Sequence, residues 1–208
     1  MYCFKNKKTP KPKSKPMEFY PTPETKETTT RKYELPILQK LATFFFLEKV
    51  KKKEYLLKEG EINDTIFYVK KGLLRVYLIH EGKEINTWFV QEDEFISSVN
   101  SYYYSIPSQE YIQAVEDCEI LTVKKSTYEM VLKHNHKLAL FAINELYIKL
   151  CEYSDQCQSL RFMTAEKKYE FLKMKRPEII KRLSQKHIAS FLGIETTYLS
   201  KIISNYKE

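Results

Sequence analysis

The chain has little of what secreted proteins and most enzymes depend on: its 208 residues include four cysteines, four glycines and four histidines. The cysteines stand at positions 3, 118, 151 and 157, with no CxxC pair and no zinc-ligand spacing. That pattern excludes a disulfide scaffold and a zinc site, and it fits a reduced, cytoplasmic chain. An iron–sulfur cluster needs about four placed thiolates, and the N-terminal region offers Cys3 alone. Among the histidines, His80 falls between extended segments, His134 and His136 flank a helical pattern, and His187 lies near the C-terminal end. No metal set or cofactor is expected from them. No phosphate-cradling glycine loop, nucleophile–base spacing or paired-carboxylate arrangement is present, so no catalytic residue is expected and the chain is not read as an enzyme. The longest strongly apolar stretch, Leu41 to Leu47, is far shorter than the roughly 20 residues that span a bilayer. The basic N-terminus has no apolar run behind it and does not read as a secretory signal.

What is present begins with charge, which is unevenly spread. The formal net charge is +8, and it divides into +6 over residues 1–32, −4 over 33–158 and +6 over 159–208. The first segment contains KNKKTPKPKSKP and PTPETKETTT, too poor in apolar residues to build a core, so it reads as a disordered basic tail. The basic C-terminal segment suits a polyanion, because lysine and arginine displace condensed counterions from a nucleic acid duplex.

That same segment contains QKHIASFLGIETTYLSKIIS, Gln185 to Ser204, which reads as a helix-turn-helix. Two short helices cross closely only where a small residue sits at the contact and the turn tolerates an unusual backbone, and Ala189 and Gly193 meet those needs. Ile188, Leu192, Ile194, Leu199, Ile202 and Ile203 recur at helical spacing and form its expected core. Thr196, Thr197, Tyr198, Ser200 and Lys201 then fall on the outer side of the second helix, where hydroxyls and a cation can reach base edges and phosphates. Glu195 stands at the start of that helix, where an acid complements the dipole. Lys186 and His187 open the first helix as candidate phosphate contacts. The plainer reading of the whole segment is an ordinary helical hairpin with a solvated face.

Between the two basic ends the pattern changes twice. A short helix is expected over Pro36 to Phe46, followed by brief extended segments: IFYVKKG, LLRVYLI, INTWFV, Tyr111 to Ala114 and Glu119 to Val123, with a hairpin turn at HEGKE. Leu74, Val76 and Leu78 alternate with Arg75 and Tyr77 as in a half-buried strand. The expected outcome is a small antiparallel barrel or sandwich. A helix without proline or glycine then runs from about Leu138 to Leu160, on the order of 35 Å long. Ala139, Ala142, Leu146, Leu150, Tyr153, Cys157 and Leu160 form one apolar stripe, and Leu138, Phe141 and Ile148 a second. One face would pack on the barrel and the other on a second copy of the chain, unless both are buried within one chain. Tyr102, Tyr103 and Tyr104 read as packing between barrel and helix, or as a stacking platform for a flat ligand or partner.

This order of parts resembles the Crp-Fnr superfamily of transcription regulators, over about residues 35–208. The carriers are LLKEGE and IFYVKKG in the barrel, the long helix, and TAEKKYEFLKMKRPEIIKRLSQKHIASFLGIETTYLSKI, which is similar to the C-terminal end of Crp-like regulators in Bacteroidetes. The resemblance implies an α+β chain: a cyclic-nucleotide-binding-like jelly-roll barrel over 33–132, a dimerisation helix over 133–160 and a winged helix-turn-helix over 161–208. It further implies double-stranded DNA, a second copy of the chain and RNA polymerase as partners. Family members that hold cyclic AMP use a Gly-Glu pair and an Arg followed by Ser or Thr. Here Asp93-Glu94 is read in the first place and Ser108-Gln109 in the second. A unit-charge attraction at about 4 Å is worth roughly 4 kcal/mol at an effective dielectric near 20, so losing the arginine removes the main hold on a phosphate. Glu92, Asp93, Glu94 and Glu110 would add repulsion, and cyclic AMP is not the expected effector. The second helix also lacks the Arg-Glu-Arg pattern by which cyclic-AMP receptors read their operator, so a different target sequence is implied. The competing reading is an effector-binding sensor that acts through protein contacts rather than DNA; a barrel enzyme is a distant third.

Overall fold

The computed structural model describes residues 43–205. The basic tail and residues 36–42 of the expected short helix lie outside the described residues. Phe46, expected to close that helix, instead opens the first strand. The aromatic run that reads as one side of a helix is recruited by pairing with a strand 70 residues later, a tertiary effect that local pattern does not carry.

Eight strands follow: β1 Phe46–Val50, β2 Tyr55–Leu57, β3 Thr65–Lys71, β4 Leu74–His80, β5 Lys83–Val90, β6 Phe95–Ile96, β7 Tyr111–Ala114 and β8 Cys118–Lys124. They form two four-stranded antiparallel sheets, ordered β1-β8-β3-β6 and β2-β7-β4-β5. Leu57, Val69, Val76, Trp88, Ile112 and Ile120 fill the space between them. The β4–β5 hairpin turns at Glu81 and Gly82, both with positive φ, the backbone of a two-residue turn that matches strand twist. Gly72 has φ +105°, and a Cβ there would lie 2.5 Å from Cys118 Sγ and 2.9 Å from Cys118 Cα. Glycine is therefore required at the β3–β4 connection.

Helix α1, Val99–Tyr104, interrupts the strands between β6 and β7. After β8 come α2, Lys125–His134, and α3, His136–Phe162, separated by Asn135, whose side chain accepts from Leu138 N and caps the long helix. At about 1.5 Å per residue, the 27 residues of α3 reach on the order of 40 Å. Its Leu138 and Phe141 pack with Val131, Phe95 and Tyr128. Its other side is bare in the single chain: Leu146 is 70% exposed and Leu150 63%. Ile148, expected to share a stripe with Leu138 and Phe141, is exposed as well.

Four helices complete the described chain: α4 Ala165–Lys175, α5 Pro177–Arg182, α6 Gln185–Leu192 and α7 Thr196–Asn205. Thr164 and Ser184 cap α4 and α6 by accepting from Lys167 N and His187 N, and a proline opens α5 where its missing N–H costs nothing. Gly193 ends α6 in the left-handed conformation, φ +66°, and Ile188, Ala189, Leu192, Leu199 and Ile202 are buried around the turn. Among the described residues no strand follows β8, so the wing of the expected winged form is not among them. No helix of the described residues is long and apolar enough to cross a membrane.

Candidate nucleic-acid interface

The helix-turn-helix exposes one side and docks the other. On α7, Thr196, Thr197 and Lys201 are exposed, and the helix from Thr196 to Asn205 carries no acidic residue. Tyr198 and Ser200 are also at this surface, with their hydroxyls engaged. Tyr198 donates to Glu166 Oε1 of α4 at 2.6 Å. The Ser200 hydroxyl lies 2.7 Å from Gln185 Oε1 and 3.0 Å from the Thr196 carbonyl, which ties α7 to the start of α6. These two side chains fix the orientation of the helix that carries Thr197 and Lys201. Lys186 is exposed at the first turn of α6, and Lys168 Nζ donates to the Leu192 carbonyl at the turn.

His187 is not part of that surface. Its Nδ1 lies 3.5 Å from both Arg75 Nη1 and Asn86 Nδ2, against the barrel. Burial, then the Arg75 charge, pushes its pKa below the usual imidazole value, so the ring is neutral at pH 7 and unsuited to a phosphate. The docking of α6 on β5 thus turns His187 toward the barrel, away from the exposed side chains of α7.

That docking depends on a defect in the β4–β5 ladder. The register shifts between Val76 and Tyr77, so Val76 pairs with Trp88 and Tyr77 with Asn86. The extra residue, Thr87, breaks the two-residue alternation. Trp88 and Val90 then enter the core between the sheets, while Asn86 and Phe89 face the helices. Asn86 N donates to Ser190 Oγ at 2.9 Å, and Ser190 Oγ donates to the Glu84 carbonyl at 2.9 Å. Phe89 meets Phe191 with ring centroids 5.2 Å apart. The same covering explains β4: Arg75 and Tyr77, expected on a solvated face, are buried. Arg75 donates to Gln113 Oε1 and Glu84 Oε2, and Tyr77 stacks on Tyr111 at 4.9 Å.

Ion pairs surround this contact. Arg182 of α5 donates to both oxygens of Glu92, at 2.8 and 2.9 Å, and to Glu116 Oε1 at 2.5 Å. Its guanidinium pulls the Glu92 carboxyl down to about 2, helped by donation from the Gly72 backbone N–H. Arg176 donates to Glu94 Oε1 at 2.5 Å and to the Phe89 carbonyl at 2.8 Å. Neither arginine carries a local signal in the sequence. Their acidic partners lie 66 to 90 residues away along the chain, and the basic C-terminal count alone gives no sign of such pairing.

A second feature lies on the far side of Trp88. A cavity of about 200 Å³ opens between the barrel, α1 and α3, lined by Val76, Ile96, Ser97, Val99, Asn100, Glu110 and Tyr153. Neither Asp93 nor Glu94 lines it: Asp93 sits in the β5–β6 turn with φ +64° and accepts from the Tyr68 hydroxyl, and Glu94 faces Arg176 and Lys149. Asp93-Glu94, read in the place of the Gly-Glu pair, therefore stands apart from this cavity. Ser97, shortly before α1, lines the cavity instead, and Ser98 is buried beside it. Ser98 Oγ donates to Glu110 Oε2 at 2.9 Å and lies 3.0 Å from Ser108 Oγ. Among the described residues no lysine or arginine lines the cavity, and a cyclic phosphate would meet the Glu110 carboxylate there with no cation from them to balance it. The tyrosine run divides: Tyr102 is half-buried, whereas Tyr103 and Tyr104 are exposed and take no part in packing between barrel and α3.

Residues 47–135 match the cyclic nucleotide-binding domain family. Over 129 residues the chain is 23% identical to the cAMP-activated global transcriptional regulator CRP of Haemophilus influenzae, a match covering 62% of this chain and 58% of that relative. A CooA mutant from Carboxydothermus hydrogenoformans superposes with a TM-score of 0.66 at 23% identity over 83% of each chain. FixK2 from Bradyrhizobium japonicum gives 0.66 at 19% identity over 77% of this chain and 83% of its own. Residues 47–135 thus belong with the cyclic nucleotide-binding domains, and the order of barrel, long exposed helix and C-terminal helix-turn-helix is a fold this chain shares with those solved structures.

Proposed function

We propose that this chain is a cytoplasmic, dimeric transcription regulator that reads double-stranded DNA with α7. The observation that carries the reading is the acid-free outer side of α7, with Thr196, Thr197 and Lys201 exposed. Thr197 and Lys201 make the base and phosphate contacts, with Thr196 beside them, Lys186 on a neighbouring phosphate, and Tyr198 and Ser200 holding the helix in place. The bare apolar side of α3 supports a second copy as the cover, and two recognition helices about 34 Å apart would meet successive major grooves. The parts divide as a barrel over 33–132, a dimer helix over 133–160 and a DNA unit over 161–208. The barrel is sensory in type and does not hold cyclic AMP through an arginine contact, since the cavity wall presents Glu110 and no cation.

The test is fluorescence anisotropy at about 150 mM salt, with DNA from upstream of the chain's own gene and a shuffled control. Preference for the native DNA, lost in Thr197→Ala or Lys201→Ala, supports a sequence-reading regulator. No binding even at low salt would transfer the reading to a sensor acting through protein contacts.

A further inference from the structure

We propose that the cavity between the barrel, α1 and α3 is a site for a small organic cation, a primary ammonium carrying a short apolar tail. The inference deepens the reading of a sensory barrel and rests on it. Several carboxylates around the barrel meet basic side chains: Glu92 and Glu116 meet Arg182, Glu94 meets Arg176 and Lys149, and Glu119 meets Lys70. Glu48, Asp93 and Glu110 instead accept from hydroxyls, and of these three Glu110 stands on the cavity wall. Its side chain is half-buried on the cavity wall, its hydrogen-bond donor is the Ser98 hydroxyl, and among the described residues no cation stands within salt-bridge distance. A half-buried carboxylate met by a hydroxyl alone favours a positive partner.

Its surroundings point the same way. The Tyr153 phenol across the cavity is pushed up to about 12, first by burial and then by Glu110, Glu152 and Glu94. The Tyr153 ring also offers a π surface to an ammonium. Val76, Ile96 and Val99 provide an apolar side, and the Asn100 amide is an additional polar group. The volume of about 200 Å³ is below the roughly 300–1,000 Å³ of common ligand clefts, which selects a compact ligand over a nucleotide. Trp88, the sole tryptophan of the sequence, lies 4.5 Å from Tyr153, ring centroid to centroid, and edges Phe191 of α6 at 6.5 Å. A ligand against Tyr153 would therefore be sensed by a residue that also touches the DNA unit.

The experiment is a titration of the full chain with n-butylammonium chloride at constant ionic strength, following Trp88 emission. Butan-1-ol and cyclic AMP serve as comparators, and Glu110→Gln as the variant, its fold checked by circular dichroism. The expected result is saturable binding of butylammonium at least tenfold tighter than butan-1-ol and weakened at least tenfold by Glu110→Gln. Equal binding of butylammonium and butan-1-ol, an unchanged affinity in Glu110→Gln, tighter binding of cyclic AMP, or no binding of any probe would each overturn the proposal. The wild-type comparison of the three probes stands even if the variant misfolds. DNA affinity is measured separately, so loss of the regulator reading would leave the outcome at this cavity distinguishable.

Discussion

The two sides of the C-terminal helical unit use similar residues for opposite ends. On the side facing the barrel, Arg176 and Arg182 are each locked to carboxylates, His187 is held neutral, and Ser190 is bound to Asn86 and the Glu84 carbonyl. On the outer side, Thr197 and Lys201 are exposed, and the hydroxyls of Tyr198 and Ser200 are turned to other helices. The difference teaches that a basic segment is not by itself a polyanion surface. What distinguishes the two sides is the presence of an acidic partner within the fold.

The sharpest break in this arrangement is Gly72→Ala. A Cβ would collide with Cys118 in a left-handed backbone conformation, and the same residue's N–H supports Glu92 opposite Arg182. Overpacking and backbone strain together should destabilise the barrel by about 3 kcal/mol, read as a lowered thermal midpoint. Next comes a matched pair of charge removals. Lys201→Ala should weaken DNA binding by about 1–3 kcal/mol and reduce the salt slope by about 1, whereas Arg182→Gln, which removes the same formal charge, should leave the slope unchanged. An equal change in slope for both would show that the barrel side also touches DNA. Arg182→Gln should instead cost about 1–2 kcal/mol of stability, discounted because Glu92 and Glu116 are 38% and 39% exposed. A urea titration would measure it.

Acid should loosen the barrel side. The Glu92 carboxyl is depressed to about 2 by Arg182, below the roughly 4.3 of a free glutamate. The docked form therefore binds fewer protons, and its stabilisation is complete above pH about 4.3 and lost as pH falls through about 2. Glu84, depressed by Arg75, contributes in the same direction. Trp88 emission followed across that window should report the loosening, and Arg182→Gln should flatten the curve. The smallest effect is expected from Lys186→Ala, about a twofold loss of DNA affinity that disappears at high salt, as for a single exposed phosphate contact.

Features set by neighbouring residues were legible in the sequence. Gly193 and the spacing of Ile188, Leu192, Leu199 and Ile202 place the helix-turn-helix, and the strands around Gly72 and Gly82 emerge near their observed bounds. Features set by distant partners were not. Phe46 is a strand residue because it pairs with Thr122. Arg75 is buried because α6 covers it. Asp93-Glu94 resembles a ligand-facing pair in a linear reading, but the turn before β6 points both residues elsewhere. On α7 the exposed positions follow from helical spacing, but the hydroxyl bonds of Tyr198 and Ser200 depend on α4 and α6 and carry no signal in the segment itself.

If a second copy covers it, as proposed, the exposed ridge of α3 would make concentration a variable of folding. Leu146, Tyr147 and Leu150, each more than 60% exposed, contribute nothing to the stability of an isolated chain beyond local helix formation, yet a cover that binds only the folded state adds RT ln(1 + [L]/Kd). Cells that make little of the chain would then hold it in a less stable form than cells that make much. The onset of regulation would follow abundance by mass action as well as by any effector.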